Sequence, residues 1–486
     1  MARWALILSL IFGVGPALSG CEIIYTIFHD IHYAELRKEW NRPYVLIEEY
    51  TETIQSGGLS NEELAIIYNE RGSAYTATNQ IDEAIRDFDE ALRLNPRLVA
   101  AWINRGDAYI HKENYDQTIH NYDEALRLDP ENADTWYDRG RVYAYKRNYD
   151  SAIRDLDEAL RLNPGLGAAW IFRGHVYASK QQYDQAIRSY DEGLRLDPQD
   201  ADAWADRGHA YAGRGDYDQA ILDFSEALRV NPGKIPARHD RAEAYYQNGQ
   251  YDLAIRDIDH LLYSGVSWAS LWRDRGDAYM RLGQFDQALD SYNRAHSLDR
   301  GNADTLSRQA SVYVNRQQYE QAIRNFDVAL RIDPHHGTAR HGRGRANFYL
   351  AQYAEAAADF ARVVETAPED RFAVIWLYLA ETRGGRDGRL TLERHAELLD
   401  LEDWPGMVVR LYLGDTNPGE FMAAAKSSNP KHQAEKLCEA FFYLGQHALL
   451  DGHIDQARQL FNAAIDTGVT FSIGYVGAKA ELARLE

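Results

Sequence analysis

A small residue returns every 34 positions along most of this chain: Gly72, Gly106, Gly140, Gly174, Gly208, Ala242, Gly276, Ala310 and Gly344. No other feature constrains the fold as strongly. A fixed period of this length marks one supersecondary unit copied in series, since a single copy cannot bury its apolar face alone. With that small residue set at position 8, nine uninterrupted units run 65–98, 99–132, 133–166, 167–200, 201–234, 235–268, 269–302, 303–336 and 337–370. An array of this kind leaves no room inside it for a catalytic domain.

Other positions keep the same phase. Position 4 is Trp102, Trp136, Trp170, Trp204 and Trp272; position 11 is tyrosine from Tyr75 to Tyr313, until Asn347 breaks the series. Position 24 is aromatic in Phe88, Tyr122, Tyr190, Phe224, Tyr292, Phe326 and Phe360. Seven of the 13 prolines stand at position 32, from Pro96 to Pro368. Each unit therefore reads as two antiparallel helices. Small residues at 8, 20 and 27 let the helices approach, large ones at 4, 11 and 24 fill between hairpins, and proline stops the second helix. Arginine at position 7 (Arg71, Arg105, Arg139, Arg173, Arg207, Arg241, Arg275) is read as a structural partner of second-helix aspartates such as Asp87 or Asp155. The whole pattern resembles the tetratricopeptide repeat. That resemblance implies an all-α superhelical solenoid with a concave groove lined by the first helices.

The regular array has ends of a different kind. Residues 21–64 are expected to form an N-terminal helical cap, and 371–486 a C-terminal helical block in which 438–471 returns to the repeat pattern. There Gly445 takes position 8, with Ala457, Phe461 and Ala464 at 20, 24 and 27. Within the array, 258–268 departs from the pattern, with Leu261 and Val266 where alanine and proline are expected.

Residues 1–20 form an address. Arg3 precedes an apolar run from Trp4 to Leu18, too short to span a bilayer but right for secretion. Leu18-Ser19-Gly20-Cys21 resembles the bacterial lipoprotein signal box, which implies cleavage before Cys21 and acylation of its thiol and new amino group. Several buried acyl chains give stable anchoring. The expected location is the cell envelope, lipid-anchored; Glu22 after the cysteine favours the outer membrane, facing the periplasm. Once Cys21 is acylated, Cys438 is the remaining thiol, so no intramolecular disulfide is expected.

Composition narrows the chemistry. With 74 acidic against 53 basic residues and a net charge of −21, a nucleic-acid partner is not expected, because phosphate binding runs on Lys and Arg. No phosphate-binding loop, metalloprotease motif or nucleophile elbow occurs, so no enzyme activity, cofactor or metal is expected. Gly384–Gly388, the His335-His336-His341 group and the His29/His32 pair are read as loop or surface features, and Cys438 as core.

Function should lie in the groove. On the tetratricopeptide resemblance, positions 2, 5, 9, 12 and 13 face it. The candidate protein-binding residues there are Tyr137, Arg141, Tyr145, Ile171, His175, His209, Arg273, Arg345, Phe348 and Tyr349. Tyr137, Arg141 and Tyr145 share one helix face, where aromatic and arginine anchors suit a protein partner whose carboxylate Arg141 would read. Position 5 carries no lysine from Asn69 to Ala205, so the carboxylate clamp of chaperone-tail repeats is absent.

Signal box, array and C-terminal block together resemble the new lipoprotein I family of bacterial outer-membrane lipoproteins. The matching pieces are Trp376-Leu377-Tyr378-Leu379-Ala380-Glu381, Leu411-Tyr412-Leu413-Gly414 and Phe442-Tyr443-Leu444-Gly445. The resemblance implies a non-catalytic scaffold that dimerises and brings peptidoglycan hydrolases to a periplasmic tail-specific protease. The alternative is a carrier or secretion accessory that binds unfolded or lipidated cargo.

Overall fold

The computed structural model describes residues 42–426 and 430–486. The signal-like segment, Cys21, His29, His32 and the stretch before residue 42 lie outside the described residues. The fold is all-α, a tetratricopeptide-repeat solenoid of helix hairpins in series, with no strand among the described residues.

The chain divides into two compact units, one ending at Asp216 and one running Tyr217–Glu486. In the first, a helix over 42–56 precedes the hairpins Asn61–Ala77 with Ile81–Leu94, Val99–His111 with Tyr115–Leu128, Ala133–Tyr145 with Tyr149–Leu162, and Gly167–Ser179 with Tyr183–Leu196, followed by Ala201–Gly213. The second begins with Tyr217–Val230 and continues through four more hairpins to Thr366. Its C-terminal block comprises, among the described residues, seven helices from Arg371–Arg383 to Ile473–Leu485. Below, A and B denote the first and second helix of a repeat.

One contact repeats along the array and explains the 34-residue clock. A Cβ built on Gly72, Gly174 or Gly276 would lie 2.6, 2.5 and 2.5 Å from Phe88, Tyr190 and Tyr292, respectively, each 16 residues on. Position 8 is thus the floor on which the position-24 ring lies, and the rings are buried: Phe88 0%, Tyr190 2%, Tyr292 1%. Burying one such ring contributes about 1.5–3 kcal/mol. The same geometry recurs in the C-terminal block, where a Cβ on Gly445 would lie 2.4 Å from Phe461.

Position 7 ties neighbouring repeats together. Arg139 donates to Asp155 at 2.7 and 2.9 Å in its own repeat and to Asp123 at 2.5 Å in the preceding one. Arg71–Asp87 and Arg241–Asp257 repeat the internal pair, each at 2.7 Å. The position-4 tryptophans pack half-buried where successive hairpins meet, Trp102 against the cluster of Ala91, Leu92 and Ala101 and Trp170 against the one holding Leu156, Leu160 and Ala169. Trp102, Trp136 and Trp170 donate Nε1–H to the carbonyls of Pro96, Pro130 and Pro164 at 2.9–3.0 Å. Each also lies under the position-7 guanidinium, at 4.7, 4.5 and 4.3 Å. The amphipathic indole suits that junction, apolar on its face and wet at its nitrogen.

Candidate binding groove

In the first unit the candidate residues lie on successive A helices. Tyr137, Ile171 and His175 come together with Phe172 and the Asp197 and Asp200 rim around a concavity of about 430 Å³. Tyr137 meets Phe172 edge-on at 6.2 Å, and Phe172 meets His175 at 6.0 Å. The depth comes from one residue. Position 27 is alanine in most repeats but Gly193 here, and a Cβ on it would stand 2.3 Å from Cδ1 of Ile171. Ile171 therefore sinks against the B helix and leaves the concavity open above it.

Tyr145 sits one turn beyond Arg141, 53% exposed, and stacks on Tyr115 at 6.2 Å. Arg141 lies over the Tyr137 ring at 5.5 Å and donates to Asp138 at 3.1 Å. The guanidinium is thus already engaged by a carboxylate of its own helix. Asp107, on the preceding A helix, accepts from the Tyr122 hydroxyl. Burial pushes both carboxyls above the ordinary aspartate value, and the charge of Asp107 adds to the effect on Asp138. His175 pairs with Asp206 at 2.7 Å. His209 stands exposed on Ala201–Gly213. Sequence reasoning read Tyr122 only as a core aromatic and missed Asp107, Asp138 and Asp206. Position 6, which holds the last two, carries Asp or Asn in five repeats and was the available signal.

The second unit treats the same face differently, and here the expectation is corrected. Phe348 and Tyr349 are 0% and 5% exposed, not groove residues open to a partner. The C-terminal block covers them. Arg484 donates to the Phe348 carbonyl at 2.7 Å, and Phe348 packs on Trp376 at 5.2 Å. Tyr349 reaches the Ile473 carbonyl at 3.5 Å. Arg345 is half-buried on that helix, its Nε shielded from solvent. In repeat eight, Ser307 and Val314 at groove positions 5 and 12 are likewise buried, at 1% and 9%. Many apolar groups meet there, and the chain covers them itself.

Repeats six and seven retain a smaller opening of about 320 Å³, lined by His239, Glu243, Tyr246, Asp274 and Asp277 among others. Ion pairs to Asp240 at 3.7 Å and Asp274 at 3.6 Å push the His239 imidazole up to about 10. Arg273 lies half-buried on the A helix of repeat seven. Arg281 turns toward the C-terminal block, 4.4 Å from the Phe471 ring.

Two histidines at the junction of repeats eight and nine have structural partners. His336 caps Gly337–Tyr349 by accepting from the Ala339 amide, and His341 bonds Asp370 at 2.9 Å. Cys438 is fully buried, its thiol pushed up by burial. Among the described residues no group of three or more His, Cys, Asp or Glu is placed to hold a metal, and no helix is long and apolar enough to cross a membrane.

Family models described as the TPR repeat match residues 72–112, 106–146 and 174–213. Models described as the tetratricopeptide repeat match 133–166, 201–234, 269–302 and 307–371. Among solved structures, the crystal structure of MamA protein is 27% identical, covering 36% of this chain and 95% of that one with a TM-score of 0.34. YrrB, titled a TPR protein with an unusual peptide-binding site, is 27% identical over 40% of this chain and 97% of its own, with a TM-score of 0.35. Pseudomonas aeruginosa PilF is 18% identical, covering 42% of this chain and 94% of that one with a TM-score of 0.37.

Proposed function

The chain belongs to the tetratricopeptide repeat proteins, and from that premise we propose that it is a non-catalytic scaffold whose open A-helix face in repeats two to five docks a segment of a partner protein. The observation that carries this reading is the concavity over Tyr137, Ile171 and Phe172, half-buried apolar groups left uncovered by the chain's own residues. Rigid helices hold them, so docking costs little ordering of the receptor.

The scaffold works, in this reading, in the cell envelope. Cys21 would carry the lipid anchor, and the partners would be proteins of peptidoglycan maintenance, such as hydrolases and a tail-specific protease. What supports this is the Leu18-Ser19-Gly20-Cys21 box together with the order of sequence blocks in 371–470.

Two measurements test the two halves separately. Capture from detergent-solubilised envelope with the full chain should lose its bound protein when Tyr137 and Ile171 are both changed to Ala, an affinity loss of about tenfold or 1.4 kcal/mol, with the helical signal retained. Undiminished capture would remove the groove from the mechanism. Cys21→Ala should leave the protein soluble or unprocessed; fractionation with membranes like the parent would end the anchor reading.

A further inference from the structure

We propose that the segment taken by this face is cationic and extended, its lysine or arginine side chains meeting Asp107 and Asp138 while a neighbouring apolar residue sits over Tyr137, Ile171 and Phe172. The inference rests on the docking reading above and adds the chemistry of the ligand. It also reverses the charge expected from the sequence, where Arg141 reads a carboxylate.

Three observations carry it. First, the A-helix face of repeats one to five presents Glu70, Asp107, Asp134, Asp138, Asp202 and Asp206 at positions 2, 6 and 9, against the single guanidinium of Arg141. Second, that guanidinium is held at 3.1 Å by Asp138, so an incoming carboxylate would have to compete with a partner already in place and approach Asp107 as well. Third, Asp107 and Asp138 are half-buried and lack enough positive charge to hold their carboxyls at the ordinary value. A cation placed between them would restore what burial removes. The concavity lies one A helix further along and its rim is also acidic, at Asp197 and Asp200. A segment with basic and apolar residues alternating meets both features at once, with electrostatic complementarity setting selection.

The test uses the full chain and three fluorescent versions of one designed peptide of about ten residues, in which Leu and Tyr alternate with Lys, with Gln or with Glu. Anisotropy titrations should rank Lys above Gln above Glu, with at least tenfold between the first and last. Asp107→Asn with Asp138→Asn should weaken the Lys peptide about tenfold and strengthen the Glu peptide; asparagine keeps an acceptor for Tyr122. Arg141→Ala, which does not depend on the first variant folding, should do the opposite and tighten the Lys peptide. Tightest binding of the Glu peptide, or loss of Lys-peptide affinity on Arg141→Ala, would overturn the inference while leaving the docking reading intact. Absence of binding by all three peptides, with Tyr137→Ala and Ile171→Ala also silent in envelope capture, would overturn both.

Discussion

At the scale of single residues, the array is held by charges that cannot be removed singly. Arg139 and Asp155 have side chains only 13% and 7% exposed. Burial raises the Asp155 carboxyl despite the guanidinium beside it, so desolvation outweighs attraction at that carboxylate. Such a pair adds little net stability, yet deleting one partner leaves a buried charge, at a cost of roughly 3–5 kcal/mol. Arg139→Ala should therefore lower the denaturation midpoint strongly, and Asp155→Ala in the same chain should recover much of the loss. Equal stability of the single and double variants would show the two side chains uncoupled. His239 gives a pH signature. Its pairs with Asp240 and Asp274 raise its value from 6.5 to about 10, so its stabilisation is complete below 6.5 and is lost as pH rises through 10. The ring is only partly buried, so solvent screening limits the effect to about 1 kcal/mol. His239→Gln should cost more stability at pH 6 than at pH 10, read as denaturation midpoints.

At the scale of elements, two kinds of helix ending alternate. Each B helix before a position-32 proline stops because proline cannot continue it. Each A helix stops by turning one residue left-handed at position 15, including Asn79, Glu113, Arg147, Gln181, Gly249 and Ala351. At the first of these turns the Gln80 amide reaches back to the Tyr75 carbonyl at 2.8 Å and the Asn79 amide to Thr76 at 3.0 Å. Repeat six lacks the proline and ends its B helix the same way. Gly265 has φ 86°, and the Val266 and Gly265 amides bond the carbonyls of Leu261 and Leu262, each at 3.2 Å. The proline stops were legible in the sequence. The left-handed corners were not, because most of them carry residues other than glycine. Gly193 is the element-level determinant of the groove. Gly193→Ala should improve helix propensity by up to about 1 kcal/mol, yet push Ile171 into the concavity. The expected result is unchanged or raised melting temperature with weaker partner capture; unchanged capture would show that Ile171 does not shape the binding surface.

At the scale of the whole molecule, the array has an open stretch and a filled one. The C-terminal helix Ile473–Leu485 lies against repeat nine, and its Glu481, 1% exposed, joins Arg484 at 2.8 Å, Arg383 at 3.3 Å and Gln446 at 2.9 Å. Ending the chain before Ser472 would leave Arg383 and Gln446 without this partner and uncover Phe348 and Tyr349. In repeat proteins each unit answers mainly to its neighbours. Hydrogen exchange in the truncated chain should therefore quicken through 303–383, while Asn61–Leu196 keeps its protection. Protection lost uniformly along the chain would show cooperativity beyond nearest neighbours.

The 34-residue period determined by itself that this chain is a series of helix hairpins, which small and aromatic residues meet in their cores, and that position-7 arginines pair with second-helix aspartates such as Asp87 and Asp155. Those contacts fall 16 positions apart and recur along the array, so they leave a periodic trace. The tertiary structure alone decided which part of the A-helix face stays open. Arg484 reaches Phe348 across 136 residues and Tyr349 reaches Ile473 across 124, contacts made once and therefore without period. The groove's charge divides the same way: its acidic positions 2, 6 and 9 stand in the sequence, whereas Arg141 looked like a free anchor there and only side-chain placement showed it held by Asp138.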